Sequence, residues 1–275
     1  MNIQQLTDIL IKSGIESNEA KCEIRMLLEH FLNYGEAEKL RGERLSDDQL
    51  SVIEEKVIQR AETGLPIQYI IGEAWFAGEY FKVTPDVLIP RDETEILVRK
   101  AIEIINENGF KTILDIGTGS GCIACTIAKK TDASVLGVDI SNDALRVALD
   151  NVTRLGINNK AVFRKSDLFG SVHENEKFDL IISNPPYIPY GTDLSKEVMQ
   201  EPKAALFAGN NGLEYYEKIT EFAPKYLNKD GYLMYELGMG EAKAVKSIMD
   251  KCFSDIETIK DLAKIDRVII GKLIK

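Results

Sequence analysis

The stretch 112-TILDIGTGSGCIACTIAKK-130 decides the fold of this chain. Thr112 to Ile116 form an apolar run of strand length, and the residues after the glycines have the apolar pattern of a helix. Gly117, Gly119 and Gly121 permit a sharp turn and let the backbone approach a ligand closely. The spacing is GxGxG, whereas dinucleotide-binding folds have GxGxxG, and the GK[ST] of a phosphate loop is missing. The stretch predicts a strand, a ligand-binding turn and a helix; a tight turn without a ligand is the alternative.

The same alternation of strand and helix continues from residue 91 onward. Further runs of strand length are Ser134–Val138, Ala161–Lys165, Asp179–Ser183, Tyr232–Glu236, Ile256–Lys260 and Arg267–Lys272. Helical patterns cover residues 93–108, 121–130, 142–155 and 213–227. This order predicts an α/β fold with a mostly parallel, seven-stranded sheet covered on both faces. In such sheets ligands bind at the carboxyl ends of the strands, near the switch in strand order.

The first 90 residues have a different pattern. Residues 1–65 repeat apolar positions at helical spacing, and Ser46 with Gln49 predicts a capping box, so we expect a small helical bundle. Residues 66–90 contain short apolar runs separated by glycine, which predict short strands at Tyr69–Ile71, Ala74–Phe76 and Tyr80–Val83. The expected organisation is a helical domain at 1–65, a β-hairpin linker at 66–90 and an α/β domain at 91–275.

Charge limits the classes of partner. The chain has 275 residues, a net charge of −10 and a pI of about 5.0, so its surface does not favour stable binding to nucleic acid. Residues 1–80 hold 8 Lys+Arg against 15 Asp+Glu, and residues 81–275 hold 26 against 29. The acidic helical part suits a basic protein partner, although a solvated helix surface explains it equally well.

Location and metal content follow from what the sequence lacks. The start, MNIQQLTDILIKSG, has neither the basic segment nor the long apolar run of a signal peptide, and no run has the length of a membrane span. Cys122 and Cys125 have CxxC spacing, but no second pair completes a zinc site. We expect a cytoplasmic protein with reduced cysteines, no metal and no membrane contact. A monomer is expected because no heptad pattern occurs.

Polar residues stand at the ends of successive predicted strands. Asp139 ends the strand after the glycine turn, where an acid can accept hydrogen bonds from both ribose hydroxyls of a nucleoside. Asp167 follows the third strand and is placed to meet an adenine edge, and Asn184 follows the fourth. Together with the glycine turn, this arrangement resembles the S-adenosylmethionine site of a Rossmann-like class I methyltransferase. The resemblance implies a cofactor site formed by Gly117, Thr118, Gly119, Ser120, Gly121, Asp139, Ile140, Asp167, Leu168 and Asn184.

Asn184-Pro-Pro-Tyr187 follows the apolar run 180–182 and resembles the motif of enzymes that methylate planar amino or amide nitrogens. Pro185 and Pro186 supply no backbone N–H and hold the chain extended. The Asn184 side-chain oxygen and the Pro185 carbonyl can each accept one N–H, which orients the nitrogen and favours positive charge as the methyl group transfers. Tyr187 can pack against the planar group. A rigid turn without chemistry is the alternative interpretation.

Longer segments resemble the release factor glutamine methyltransferases, the PrmC/HemK family. They are PIQYIIGEAWFAGEYFKV, VLIPRDETEILV, DIGTGSGCIA, SNPPYIP and EPKAALFAGNNGLEYY. The resemblance covers nearly the whole chain and implies methyl transfer from S-adenosylmethionine, with S-adenosylhomocysteine as product, to the glutamine amide in the Gly-Gly-Gln loop of class 1 peptide chain release factors. Asn184, Pro185 and Tyr187 would be catalytic, and Pro186 would join them in binding the substrate.

The segment before the first helix of the α/β domain, 87-VLIPRDETE-95, reads by its physics alone as an ordinary helix start with an acidic first turn. The family resemblance adds that Arg91, Glu93 and Glu95 shape the cleft between the domains, with Arg91 and Glu95 binding the substrate. Three positions depart from the family pattern, which has proline at Asp92, often an aromatic residue at Leu168 and glycine at Lys264. We expect Asp92 still to begin a helix, Leu168 to stack more weakly on adenine, and Lys264 to affect only a local turn.

Other activities remain open from the sequence. Glutamine methylation of a ribosomal protein and adenine-amino methylation of nucleic acid would both use the same tetrapeptide, and the second would require a flipped base. The acidic helical part argues against nucleic acid. A cofactor-binding module without catalysis is a third possibility, and the intact Asn184, Asp139 and glycine turn argue against it.

Overall fold

The computed structural model describes residues 1–42 and 44–274. Glu43 and Lys275, the last residue of the expected α/β domain, lie outside the described residues. The chain divides into two compact units. The first comprises Met1–Glu73 and Leu194–Gln200, and the second comprises Ala74–Asp193 and Glu201–Lys275.

The first unit is built from helices, as the periodicity of residues 1–65 predicts. They are α1 (Ile3–Lys12), α2 (Ser17–Leu32), α3 (Glu36–Leu40), α4 (Asp47–Thr63) and α5 (Ile67–Ile71). The capping box predicted at the start of α4 is present, because Ser46 Oγ accepts from Gln49 N and Gln49 Oε1 accepts from Ser46 N. The apolar faces of α1, α2 and α4 bury one core, which includes Leu6, Leu27 and Ile53.

A buried ion pair crosses this helical core. Arg60 of α4 donates from Nε and Nη2 to the carboxylate of Glu23 on α2, at 3.1 and 2.8 Å, and both side chains are almost fully buried. Arg60 also lies 3.1 Å from Glu197, in the short segment that belongs to this unit. The pairing explains how two charged residues occupy the interior, since an unpaired charge there would be costly.

The prediction of a strand at Tyr69–Ile71 was wrong, because these residues form the end of α5. The β-branched residues favour a strand locally, but Ile67 is part of the helical core and Ile70 and Ile71 pack against it. Packing of an apolar helix face therefore outweighs local propensity. Gly72, with φ of 83°, ends the helix in the left-handed conformation that glycine permits.

The hairpin predicted next is present as β1 (Glu73–Phe76) and β2 (Glu79–Lys82). Its two-residue turn is Ala77-Gly78, with φ of 52° and 95°. Positive φ at both central residues is typical of a type I′ turn, whose twist matches that of the two strands of a hairpin. Phe76 and Phe81 enter the core of the second unit and pack edge to face.

The second unit has the predicted α/β fold. Its strands are β3 (Thr112–Ile116), β4 (Ser134–Asp139), β5 (Ala161–Lys165), β6 (Phe178–Ser183), β7 (Leu227–Glu236), β8 (Phe253–Lys260) and β9 (Asp266–Leu273). Its helices are α6 (Asp92–Asn108), α7 (Cys122–Lys130), α8 (Asn142–Leu155), α9 (Lys203–Leu206), α10 (Glu214–Tyr226) and α11 (Ala242–Met249), with one 3-10 turn, Val198–Gln200, in the segment of the first unit. The short α9 and the helix α11 were not predicted.

The strand order, β5-β4-β3-β6-β7-β9-β8, is that of a Rossmann-like sheet with one antiparallel strand, β9. Strands β3, β4, β5, β6 and β7 are parallel, and apolar clusters cover both faces. The chain runs from β3 outward to β5 and then returns to β6 on the other side of β3. The switch point therefore lies between the carboxyl ends of β3 and β6, where Ser183 Oγ donates to the carbonyl of Ile116 at 2.7 Å.

Among the described residues, every helix is too short or too polar to cross a lipid bilayer.

Candidate active site

An open cleft lies at the carboxyl edge of the sheet, at this switch point, with about 980 Å³ of empty volume. Ligands of open parallel sheets bind at this place, outside the carboxyl ends of the strands. The walls of the cleft come from the segment before α6, from the turns after β3, β4, β5 and β6, and from α9 and α10. They include Val87, Gly117, Gly119, Asp139, Ile140, Asp167, Leu168, Asn184, Pro185, Pro186, Ala205 and Tyr215.

The glycine turn after β3 brings backbone to the floor of the cleft. Gly117 and Gly119 have φ of 74° and 55°, and both line the cavity. The Gly119 N–H donates to Asp139 Oδ2 at 2.9 Å, which holds the turn against the end of β4. The conformation is therefore one that glycine adopts without strain, and no side chain fills the space above it.

The other three residues assigned to this turn face the protein interior. Thr118 and Ser120 are buried, and Thr118 Oγ1 donates to Asp115 Oδ2 at 2.6 Å. A Cβ on Gly121 would lie 3.1 Å from the Cβ of Ala148, so this glycine permits close packing of the turn on α8. The cleft is lined by Gly117 and Gly119 but not by these three, whose part in cofactor binding stays a prediction.

Asp115, at the end of β3, is a buried acid that sequence reasoning did not assign to the site. It is fully buried, and its Oδ1 finds no hydrogen-bond partner among the described residues. Burial raises the pKa of this carboxyl to about 7, and the hydrogen bond from Thr118 opposes the rise. Asp115 does not line the cleft, so through Thr118 it supports the glycine turn from behind.

Asp139 and Asp167 lie where the strand-end argument predicts. Asp139 Oδ1 accepts from Ser141 N and Oδ2 accepts from Gly119 N, both at 2.9 Å, so the carboxylate is held rigidly at the cleft wall. A carboxylate oxygen has two lone pairs, so each oxygen can still accept a ligand hydroxyl. Leu168 is held with φ of 47° beside Asp167 and lines the cleft together with Ile140.

The tetrapeptide Asn184–Tyr187 leaves β6 at the opposite wall. Asn184, Pro185 and Pro186 line the cleft, whereas Tyr187 packs under it, against the core that contains Tyr216. A Cβ at Gly238 would lie 2.9 Å from Tyr187 Cδ2, so the loop after β7 sits close to the ring. Burial raises the pKa of Tyr187 to about 12, which keeps the phenol neutral.

The side-chain amide of Asn184 belongs to a buried hydrogen-bonded chain. Its Nδ2 donates to Thr94 Oγ1 at 3.3 Å, and Thr94 Oγ1 donates to Glu236 Oε2 at 2.6 Å. Thr94 lies in the first turn of α6, and Glu236 ends β7 next to β6, where Ser183 and Tyr235 are paired in register. Burial raises the pKa of Glu236 to about 7, while hydrogen bonds from Thr94 and Asn184 oppose the rise.

Arg91, Glu93 and Glu95 take separate places. Arg91 forms a short ion pair with the buried Glu201, which also accepts from the Ile89 N–H at 3.1 Å. Glu93 lies 3.5 Å from Arg267 of β9. Glu95 accepts from Ala77 N at 2.8 Å and so supports the hairpin turn. The three are not among the residues that line the cleft, and their role in substrate binding stays a prediction.

Sequence reasoning missed Glu236, Thr94, Glu201 and Asp115. The signal for Glu236 was present, since it closes an apolar strand in the same way as Asp139 closes β4. Thr94 and Glu201 carried no such signal, because a threonine in a helix and an acid in a loop are usually solvated. The described part of the chain holds no group of His, Cys, Asp and Glu side chains arranged for a metal ion.

Comparison with known proteins gives two family matches. Residues 3–72 match the model of the PrmC N-terminal domain, and residues 93–266 match that of the methyltransferase small domain. Curated relatives carry the name release factor glutamine methyltransferase. The one from Geobacter sulfurreducens is 41% identical over 83% of this chain and 80% of its own length. The one from Bacillus subtilis is 36% identical over 97% and 94%, and the one from Fusobacterium nucleatum is 40% identical over 83% and 66%.

Solved structures agree on the fold. The hMettl16 catalytic domain, in complex with an RNA hairpin, matches with a TM-score of 0.57 at 14% identity over 85% of this chain and 86% of that one. The Thermus thermophilus 16S rRNA N2 G1207 methyltransferase, in complex with AdoMet and guanosine, matches with a TM-score of 0.54 at 18% identity over 74% and 50%. Both comparisons support a Rossmann-like methyltransferase fold. By its two domain matches and its relatives, the chain belongs to the release factor glutamine methyltransferase family.

Proposed function

We propose that this protein transfers a methyl group from S-adenosylmethionine to the side-chain amide nitrogen of a glutamine, the one in the Gly-Gly-Gln loop of class 1 peptide chain release factors. The observation that carries methyl transfer to an amide nitrogen is the Asn184 amide at the wall of the cleft, and the choice of release factors as the substrate is supported by the named relatives and the match to the PrmC N-terminal domain. The Nδ2 of Asn184 is engaged by Thr94, so its Oδ1 remains available to accept a substrate N–H.

The chemistry required of the protein is positioning. An amide nitrogen is a poor nucleophile because its lone pair is delocalised into the carbonyl group. Asn184 Oδ1 and the Pro185 carbonyl are the two acceptors for its two hydrogens, and they favour the positive charge that develops on nitrogen. Pro185 and Pro186 hold that backbone in place, and we assign to Tyr187, which packs beneath the cleft, the support of the bound amide. No strong base is needed, because the methylated nitrogen, with four bonds and a positive charge, is strongly acidic and loses one of its two protons to solvent.

The cofactor is S-adenosylmethionine, and S-adenosylhomocysteine is the product. When bound, it supplies a methyl group made electrophilic by the sulfonium sulfur. The backbone of Gly117 and Gly119, which lines the cleft, suits its methionine part. Asp139 suits the ribose, and Asp167 with Leu168 suits the adenine. The remaining residues of the glycine turn, Thr118, Ser120 and Gly121, hold its shape from behind.

The remaining assignments complete the proposal. The helical domain, residues 1–65, serves in partner binding, with the hairpin linker at 66–90 and the methyltransferase domain at 91–275. Arg91, Glu93 and Glu95 shape the protein-substrate cleft. The enzyme acts as a cytoplasmic monomer, without membrane contact and without stable binding to nucleic acid.

The test is a labelling experiment with purified protein, methyl-labelled S-adenosylmethionine and a purified release factor. A release factor with alanine in place of the loop glutamine runs beside it, followed by peptide mass analysis. We expect label on the wild-type loop and none on the variant. Label on a ribosomal protein or on structured RNA or duplex DNA, with none on the release factor, would overturn the substrate but keep the chemistry of Asn184-Pro-Pro-Tyr187.

A further inference from the structure

We propose that Glu236 is a positioning residue: acting through Thr94, it fixes which end of the Asn184 side-chain amide faces the substrate nitrogen. The inference rests on the proposed function, because it concerns the acceptor that the substrate N–H would use. Glu236 itself does not line the cleft, so its effect is exerted through the hydrogen-bonded chain.

The geometry gives the chain a direction. Thr94 has a single hydroxyl hydrogen, and the 2.6 Å contact to Glu236 Oε2 takes it, because an ionised carboxylate can only accept. The Thr94 oxygen is then left with lone pairs and must receive a hydrogen from Asn184. The amide nitrogen therefore turns toward Thr94, at 3.3 Å, and the amide oxygen turns away from it.

Burial makes the direction firm. Thr94 is 2% exposed and Glu236 is 3% exposed, so water does not compete for these hydrogens. The fold holds the three groups on separate elements, namely α6, the end of β7 and the end of β6. A buried chain of this kind is worth more than its bonds taken singly, since each bond polarises the next.

Protonation of Glu236 would reverse the chain. A neutral carboxylic acid can donate to Thr94, and the Thr94 hydroxyl can then donate to the Asn184 oxygen. The amide would turn its nitrogen toward the substrate, where a donor would face the N–H donors of a glutamine amide. A reversed amide therefore cannot hold the substrate for transfer.

The charged and titratable groups around Glu236 set its pKa and therefore the pH at which the chain reverses. Glu93 of α6 raises its pKa, whereas the hydrogen bond from Thr94, the charge of Arg267 of β9 and the Asn184 amide lower it. The charge of Glu236 also acts on Tyr187 and Cys122, and both stay neutral because their own pKa values are raised to about 12, mainly by burial. With the Glu236 pKa at about 7, we expect the ionised, productive chain above that pH.

The kinetic test compares Glu236→Gln, Thr94→Val and Thr94→Ser with the wild type across pH 5.5–9. Glu236→Gln and Thr94→Val should lower kcat by about tenfold or more, by analogy with loss of one oriented polar group, and leave KM for S-adenosylmethionine within about twofold. Thr94→Ser should recover most of the rate lost in Thr94→Val. The wild-type rate should rise with pH through about 7, and this limb should vanish in Glu236→Gln. The control is Glu257→Gln, which replaces an exposed acid of β8 and should change neither kcat nor the pH dependence of the rate.

A spectroscopic test keeps the inference separate from the proposed function. In protein labelled with ¹⁵N-asparagine, the Asn184 side-chain NH₂ signals, assigned by their loss in Asn184→Ala, should shift with pH near 7. The shift should be absent in Glu236→Gln. A protein that transfers no methyl group to any glutamine yet shows this titration would refute the substrate and keep the positioning. An unchanged Asn184 signal, or a pH limb that survives in an active Glu236→Gln variant, would overturn the inference.

Discussion

Asn151 and Lys82 are joined by a pair of hydrogen bonds: the side-chain amide of Asn151, on a helix, bonds to both the backbone N–H and the backbone carbonyl of Lys82, as a neighbouring strand would. Lys82 N donates to Asn151 Oδ1 at 2.7 Å, and Asn151 Nδ2 donates to the Lys82 carbonyl at 3.0 Å. Nδ2 also donates to the Ser120 carbonyl at 2.9 Å. One fully buried side chain of α8 thus connects the end of the hairpin with the glycine turn of the cleft.

Replacement of Asn151 by alanine should lower the free energy of unfolding by about 3 kcal/mol, because two backbone carbonyls and one N–H lose their buried partner. The same change should weaken binding of S-adenosylmethionine, since Ser120 is held by that bond. Urea denaturation and calorimetry measure the two effects. Asn158→Ala, at an exposed position, should stay within about 0.5 kcal/mol of the wild type. Equal stability of the two variants would contradict the role given to Asn151.

Asn184→Ala should lower turnover by roughly two powers of ten or more, the cost of losing one oriented polar group in a transition state. S-adenosylmethionine should still bind, because the glycine turn and Asp139 are untouched. The comparison uses single-turnover methylation beside calorimetric titration of the cofactor, with the exposed Asn159→Ala as control. A folded Asn184→Ala protein with near-normal turnover would exclude Asn184 from the chemistry.

The sequence predicted the sheet well because a parallel sheet covered on both faces leaves continuous apolar runs. β3 and β5 begin and end at the predicted residues, and β4 and β6 differ by one residue at one end. The strand predicted at Tyr69–Ile71 failed because a short apolar run has no period of its own. Its conformation is decided by the helical core onto which it packs.

The site residues that stand at strand ends could be predicted from the sequence. The residues whose role is a hydrogen bond to a partner far away in the sequence could not. Asp139, Asp167 and Asn184 follow strands whose carboxyl ends meet at one edge. Asn151 and Thr94 sit on helices and are polar residues of ordinary appearance, so only the fold reveals that each is buried and satisfied. Hydrogen bonds between residues 69 to 142 positions apart leave no local pattern in a single sequence.

The buried acid Asp115 should make the ligand-free protein less stable as pH rises. Its folded pKa is raised to about 7 from an ordinary value of 3.8, so the folded state binds more protons than the unfolded state between these values. Stability from this group is therefore complete below about pH 4 and is lost as pH rises through about 7. Asp115→Asn should be more stable than the wild type at pH 8 by on the order of 2 kcal/mol.

Thermal melting at intervals from pH 4 to 8 measures this effect. Glu236, whose pKa is also raised to about 7, should retain part of the slope in Asp115→Asn. A steeper loss of stability with pH in the variant would show that the sign is wrong.

The pair of Arg91 and Glu201 should behave as one unit. Arg91→Ala would leave a buried carboxylate whose remaining hydrogen bond comes from Ile89 N, so we expect a loss of about 3 kcal/mol in unfolding free energy. Glu201→Gln should cost less, because no buried charge is left behind. The loss of unfolding free energy in the double variant should be well below the sum of the two single losses. A double-mutant cycle in urea tests this, and strictly additive losses would mean that the two side chains act independently.

Lys264 stands where the family pattern has glycine, and the structure gives the physical reason for that pattern. Its φ is 68°, in the left-handed region. It lies in a turn that is closed by two backbone hydrogen bonds, from Asp261 N to the Ile265 carbonyl and from Lys264 N to the Asp261 carbonyl. A residue with a Cβ pays about 1 kcal/mol in this conformation, so Lys264→Gly should stabilise the protein by up to that amount. Ala263→Gly is the matched control, since its φ is not positive and glycine there should destabilise by about 0.5–1 kcal/mol. Urea denaturation measures the change in unfolding free energy for both variants. A gain in Lys264→Gly with a loss in Ala263→Gly would establish that the turn is strained at Lys264, whereas equal losses would show that it is not.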